Sequence, residues 1–278
     1  MRNHTGLHLI RTEKEFRDES LTYCYDGTLE GWFCCVYESY ICREVPGVVV
    51  AEPDRVTSGE TWLFNVKRIE TRRDIAERVM KGIRERIGED FLQALKRVFC
   101  SCMTAKELTM LLFTRKGFRY GMRIMNLRQD PVVSQVRKGL RDLGRETDKW
   151  LGFVRFTDVR GILIAVIGAK NHVLPFISYH FCDRFHNEHF MIYDKNHKMA
   201  LVYRPGESAI IPMENFTIAE ADEEEEQYRR LWKQFYDTIE IGARHNDACR
   251  RTHMPKRYWD FLTEMAERKD IANITGKS

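Results

Sequence analysis

A change of hydrophobic period near residue 150 constrains this fold more than any other feature of the chain. Over residues 72–144 apolar side chains recur every three or four positions, the spacing of one helix face. Over 152–203 they gather in short runs broken by turn residues, the pattern of strands. Ile75, Val79, Ile83 and Ile87 share one face and Phe91, Leu92, Leu95 and Val98 another, which predicts two helices over 72–98. Leu108, Leu111 and Leu112 place a third over 104–117. Pro131 follows Asp130, a favourable first helical position. Val132, Val133, Val136, Leu140 and Leu143 then carry that helix to Gly144. Residues 152–156 and 162–167 read as strands around a turn near Gly161, 173–185 as a helix, and 189–193 with 198–203 as a second hairpin.

The flanking regions add shorter elements. Tyr23-Cys24-Tyr25 reads as a strand, Asp26-Gly27 as a turn, and Thr28 as the N-cap of a helix carrying Trp32, Val36, Tyr37 and Tyr40 on to about residue 43. Pro46-Gly47 stops that helix, and 47–69 holds short extended pieces. Trp232, Phe235, Tyr236 and Ile239 stand at helical spacing late in the chain. The expected class is α+β, within one domain over 22–268. It comprises a mainly helical part over 22–150, a central antiparallel β-β-α-β-β unit over 151–205 and a helical part over 220–268. A loose arm over 1–21 and a tail over 269–278 flank it.

Several function classes are disfavoured. No run of about 18 apolar residues predicts a membrane span, and the first residues have no apolar signal core, so a cytoplasmic location is expected. The eight cysteines form no CxxC pair, and Cys34 and Cys35, in an apolar helix pattern, read as reduced thiols in or near the core. No metal and no cofactor is expected: His180, Asp183, His186 and His189 do not stand at a familiar ligand spacing. Nucleotide-loop and common hydrolase motifs are missing from the sequence.

Charge is distributed more tellingly than its net value of +4. An acidic block over 222–226 precedes a basic and aromatic stretch over 244–259, in which seven of sixteen residues are Arg, Lys or His. Arg244, Arg250, Arg251, His253, Lys256, Arg257, Tyr258 and Trp259 there suit phosphates and base faces. Lys256 and Arg257 fall in the first turn of a helix expected to start at Pro255, where bound phosphate would offset two cations that oppose the helix dipole. The competing reading is that they pair with the acidic block while Trp259 packs in the core.

A second group is His180, Asp183 and Arg184, with Tyr193 and Asp194 at the end of a strand nearby. His180 and Arg184 lie one helical turn apart and are expected to line a pocket with Arg155 and Tyr193. His180, Asp183 and Asp194 are the candidates for acid–base chemistry, against the blander reading of a structural His–Arg network. Arg155, within a Phe-rich strand, reads either as an edge residue or as part of a buried polar site with Glu146 as its partner, the second being favoured.

These motifs together resemble a bacterial family of proteins linked to DNA metabolism and DNA repair. The resemblance rests on Tyr25-Asp26-Gly27 with Glu30-Gly31, on the Gly-Phe-Val-Arg-Phe run ending at Phe156, on His180-Phe181 with Arg184-Phe185, on Ile192-Tyr193-Asp194, and on 232–259. It covers about residues 22–265, and departs from the family in having no His near Thr147 and no Thr-Asp pair near Thr71. The resemblance implies an accessory protein that binds nucleic acid, DNA above all, and works with a radical-SAM partner, in some cases alongside a uracil-DNA-glycosylase-like protein. It carries no catalytic residue with it. Two other readings stand beside it: an enzyme acting directly on DNA or a nucleotide through the His180/Arg184 pocket, and a protein-binding partner without nucleic-acid contact.

Overall fold

The computed structural model describes residues 17–52, 65–214, 216 and 252–263. They belong to two compact units, one of residues 1–99 with 103–140, the other of 100–102 with 141–278.

In the first unit the elements run β1 (Asp18–Tyr25), α1 (Leu29–Ile41), β2 (Pro46–Ala51), β3 (Asn65–Arg68), α2 (Arg73–Arg86), α3 (Glu89–Phe99) and α4 (Lys106–Tyr120). The expected helical part therefore also holds a sheet, with strand order β2-β1-β3. β1 is parallel to both neighbours. The β1-to-β2 connection contains α1, and a helical crossover returns the chain in the same direction. Central and parallel, β1 is buried on both faces from Leu21 to Tyr25. Its exit is set locally. Asp26 accepts hydrogen bonds from the Thr28 amide (2.9 Å) and hydroxyl (2.7 Å), and the Thr28 hydroxyl in turn accepts the Gly31 amide at 3.0 Å, capping α1.

The predicted helix faces form this unit's core. Ile75, Val79, Ile83 and Ile87 are buried with Phe91, Leu92, Leu95 and Val98. Phe91 stacks on Phe113 with ring centroids 4.5 Å apart. Gly117 of α4 allows that approach, since a β-carbon there would stand 2.6 Å from the Phe91 ring.

α5 (Pro131–Phe153) is longer than its apolar pattern suggested. Asp130 caps it by accepting the Val132 and Val133 amides at 2.9 and 3.2 Å. The expected stop at Gly144 and the expected strand at 152–156 are both replaced by continuing helix as far as Phe153. One interior glycine costs only about 1 kcal/mol relative to alanine. The next turns bury Trp150, and the apolar area it removes from water outweighs that cost.

The second unit holds β4 (Thr157–Val159), β5 (Ile162–Ile167), α6 (Leu174–Arg184), β6 (His189–Asp194), β7 (Met199–Arg204) and β8 (Glu207–Pro212), with strands in sequential order. The α+β class holds, but this sheet is mixed rather than antiparallel. β5 and β6 are parallel, pairing Ile162 with His189 through Ile167 with Asp194, because α6 carries the chain across between them. The other pairs are antiparallel. β8 lies beyond the expected β-β-α-β-β unit; it is an exposed edge strand ending at Pro212, which suits an edge. Leu174, Ile177 and Phe181 of α6 are buried in one cluster with Ala165, Ile167, Phe190, Ile192, Leu201, Trp150 and Tyr258. A 3-10 helix, Lys256–Phe261, stands where a longer helix was expected. Arg244, Arg250, Arg251 and the Trp232 helix fall outside the described residues.

Candidate functional site

Parallel strands send their carboxyl ends to the same edge, where ligands commonly bind in open α/β sheets. In the second unit β5 ends at Ile167 and β6 at Asp194, directly paired. The loops that leave them carry the same three residues, Lys170-Asn171-His172 and Lys195-Asn196-His197. The Lys195 amide donates to the Ile167 carbonyl (3.1 Å), and Asn196 Nδ2 donates to the Ala169 carbonyl (2.9 Å), tying the two loops together.

Asp194 is completely buried at the centre of this edge. Its Oδ1 accepts the Asn196 amide at 3.1 Å, and its Oδ2 lies 2.7 Å from His197 Nδ1. The His172 ring faces that of His197 at 5.3 Å between centroids, tilted by 56°. His172, Asp194 and His197 each offer one ligand atom, and these atoms lie within 4.8 Å of one another. Lys170, Lys195 and Lys198, all exposed, lie on the same two loops.

The first of these loops is anchored by Glu146, itself 2% exposed. Its carboxylate accepts the Lys170 amide (3.1 Å), the Asn171 amide (2.8 Å) and Asn171 Nδ2 (2.5 Å), and meets Arg257 Nη2 at 3.0 Å. Asn171 Oδ1 accepts the Cys102 amide at 2.9 Å. The second loop packs on the 3-10 helix, with Lys195 Nζ 4.7 Å from the centre of the Phe261 ring.

The residues singled out by sequence reach different places. Of the acid–base candidates, Asp194 lies in the cluster, whereas His180 and Asp183 are exposed on α6, as is the expected pocket residue Arg184. His180 stands edge-on to Phe181, and Arg184 over the Phe185 ring. Helix α6 turns Ile177 inward and its neighbours outward, so it does not set His180 and Arg184 into a pocket between helix and sheet. Tyr193 points to the opposite sheet face from Asp194 and contacts Phe216 at 5.0 Å. Arg155 donates to the carbonyls of Gly152 and Val154, and Glu146 takes Arg257 as its partner instead. Tyr258 is buried against Trp150 and Phe153, Trp259 donates to the Met254 carbonyl, and Lys256 Nζ stands over the Trp259 ring. His253 is exposed. Arg257 and Tyr258 thus serve the packing of the site loop, and a six-residue 3-10 helix replaces the expected phosphate-binding helix start.

His172, His197 and Asn171 escaped the sequence reading, and Glu146 was singled out with Arg155 rather than with Arg257 and the Asn171 loop. The repeated Lys-Asn-His triplet was the available signal.

Other features carry less chemistry. Burial pushes the Cys34 and Cys35 thiols up, which keeps them protonated and matches their reading as core thiols. A hollow of about 500 Å³ on the face of the second sheet is lined mainly by apolar residues such as Ile164, Met191 and Val202. Among the described residues no helix is long and apolar enough to cross a membrane.

No curated protein matches the chain. The profile of a family described as a domain of unknown function, DUF4130, matches residues 104–264, which include α4, α5, the whole second sheet and every residue of the His–Asp cluster. With that match spanning more than half its length, the chain belongs to the DUF4130 family.

Proposed function

We propose that this protein binds nucleic acid at the carboxyl edge of β5 and β6, as an accessory component of DNA repair or DNA modification working beside a radical-SAM enzyme. One observation carries the binding site: two interlocked loops that bring a pair of imidazoles together also carry the exposed Lys170, Lys195 and Lys198. Exposed lysines on an anchored edge suit a phosphate backbone, where release of counterions supplies the affinity. The repair context and the radical-SAM partner rest on the family resemblance of the motifs at Tyr25, Phe156, His180 and Tyr193.

A second reading is favoured by the Asp194–His197 hydrogen bond. A buried carboxylate holding Nδ1 of a partly exposed imidazole fixes the ring and leaves Nε2 for proton transfer, so the same edge is equipped to act directly on DNA or a nucleotide.

The binding reading is tested by titrating labelled single- and double-stranded DNA at several salt concentrations, with wild type and a Lys170→Ala/Lys195→Ala/Lys198→Ala variant. Equal affinities and equal salt slopes would remove this edge from DNA binding. Co-purification with the radical-SAM enzyme without DNA retention would favour a purely protein-binding role. Screening both strand types for turnover, with His197→Gln as control, tests the second reading.

A further inference from the structure

The geometry points to a divalent transition-metal site formed by His172, Asp194 and His197. This goes beyond the nucleic-acid reading and stands without it.

The donor set comes first. Two imidazole nitrogens and one carboxylate oxygen are the ligands that zinc and ferrous ions take, and three protein ligands leave further positions open for water or substrate. The three ligand atoms already lie within 4.8 Å of one another. An ideal tetrahedral site with bonds of about 2.1 Å separates its ligand atoms by about 3.4 Å. Small side-chain rotations reconcile the two: His172 moves in, and the Asp194–His197 pair, now 2.7 Å apart, opens by about 0.7 Å.

Charge gives the second argument. A fully buried carboxylate is costly unless a cation or hydrogen bonds compensate it. Asp194 has the Asn196 amide on one oxygen and His197 on the other. A divalent ion held by Asp194 and the two imidazoles would compensate the buried carboxylate directly and draw in His172. The Asn196 amide would remain as the outer partner that orients the carboxylate, a role such contacts commonly play in metal sites.

The backbone gives the third. Asp194 is the last residue of β6, and the loops bearing both imidazoles are tied together by the Lys195 amide and Asn196 Nδ2. The ligands are therefore placed by a sheet and its anchored loops rather than by free side chains.

The test uses the full chain, stripped with chelator and titrated by calorimetry with zinc chloride and, in parallel, magnesium chloride. The expected result is one zinc per chain, with no comparable magnesium binding. His172→Gln and His197→Gln, both at positions open enough to keep the fold, should each weaken zinc by at least about tenfold. Cobalt(II) substitution should give visible ligand-field absorption without thiolate charge-transfer bands, which separates this site from the cysteines. A wild type that takes up no zinc, a His172→Gln variant that binds as tightly as wild type, or a thiolate band in the cobalt spectrum would each overturn the assignment. Loss of DNA binding in the lysine variant, with zinc binding intact, would leave it standing.

Discussion

Arg257 Nη2 lies 3.0 Å from Glu146 Oε1, joining the 3-10 helix to a carboxylate with 2% of its side chain exposed. Three N–H donors from Lys170 and Asn171 converge on the same carboxylate. Replacing Arg257 by Leu leaves those donors in place but removes the compensating charge. We expect a loss of about 1–3 kcal/mol, read as a lower urea midpoint with an unchanged slope. The guanidinium side chain is 40% exposed, so an unchanged midpoint would mean that solvent screens the pair completely.

Two glycines in helices should respond to alanine in opposite directions. At Gly117 a β-carbon would meet the Phe91 ring at 2.6 Å, and Gly117→Ala should cost about 1–3 kcal/mol by overpacking. At Gly144 a β-carbon meets nothing within 4 Å, and Gly144→Ala should stabilise the protein by about 0.5–1 kcal/mol through helix propensity. Chemical denaturation of both variants checks the pair, and a stabilised Gly117→Ala would contradict the packing of α3 on α4.

Acid should weaken the first unit through Asp130. Burial pushes its carboxyl up, but the Lys116 ammonium and the Val132 and Val133 amides outweigh burial and hold it below its ordinary value of 3.8. A depressed folded pKa contributes stability that is present above the unfolded value and is lost as pH falls through the folded one. The stability gap between wild type and Asp130→Asn should therefore be widest near neutrality and close as pH drops below about 4. A gap that widens on acidification would reverse the assigned sign.

Nucleic-acid binding at the Lys170, Lys195 and Lys198 edge should be steeply salt-dependent. Each lysine that neutralises a phosphate contributes about 0.9 to the slope of log affinity against log salt on duplex DNA. The triple alanine variant should then lose up to about 2.7 in slope. Arg257→Leu should leave the slope unaltered, because its guanidinium is turned to Glu146. Fluorescence anisotropy over a salt series measures both.

Much of the architecture was legible because it follows from apolar period alone. Ile75, Val79, Ile83 and Ile87 announce a helix face in any order of reading, and all four are buried. The Thr28 cap and the Asp26-Gly27 turn were readable because their chemistry is local. The parallel pairing of β5 with β6 was hidden, since strand direction depends on the path of the chain between strands, and hairpins were the simpler reading. The end of α5 was missed because Glu146 is a buried polar residue, which breaks the apolar count at the position where the helix continues inward.

The candidate site was less legible for a related reason. Asp194 could be singled out as a strand-end carboxylate, but His172 and His197 are separated by 25 positions and meet only through the β5–β6 register. His180 carried the stronger local signal and turned out to face solvent. Periodicity on an 11-residue helix leaves the inward face ambiguous by about one residue, and Ile177 and Phe181 decide it.

Asn171 links three parts of the second unit through one side chain and one amide: it donates twice to Glu146 and accepts the Cys102 amide. His172, the next residue, therefore begins from a backbone that is already fixed. A ligand arriving at this edge meets a finished surface and loses little affinity to ordering the loop. Association should then be a single concentration-dependent step, with no slow rearrangement of the 168–173 loop behind it.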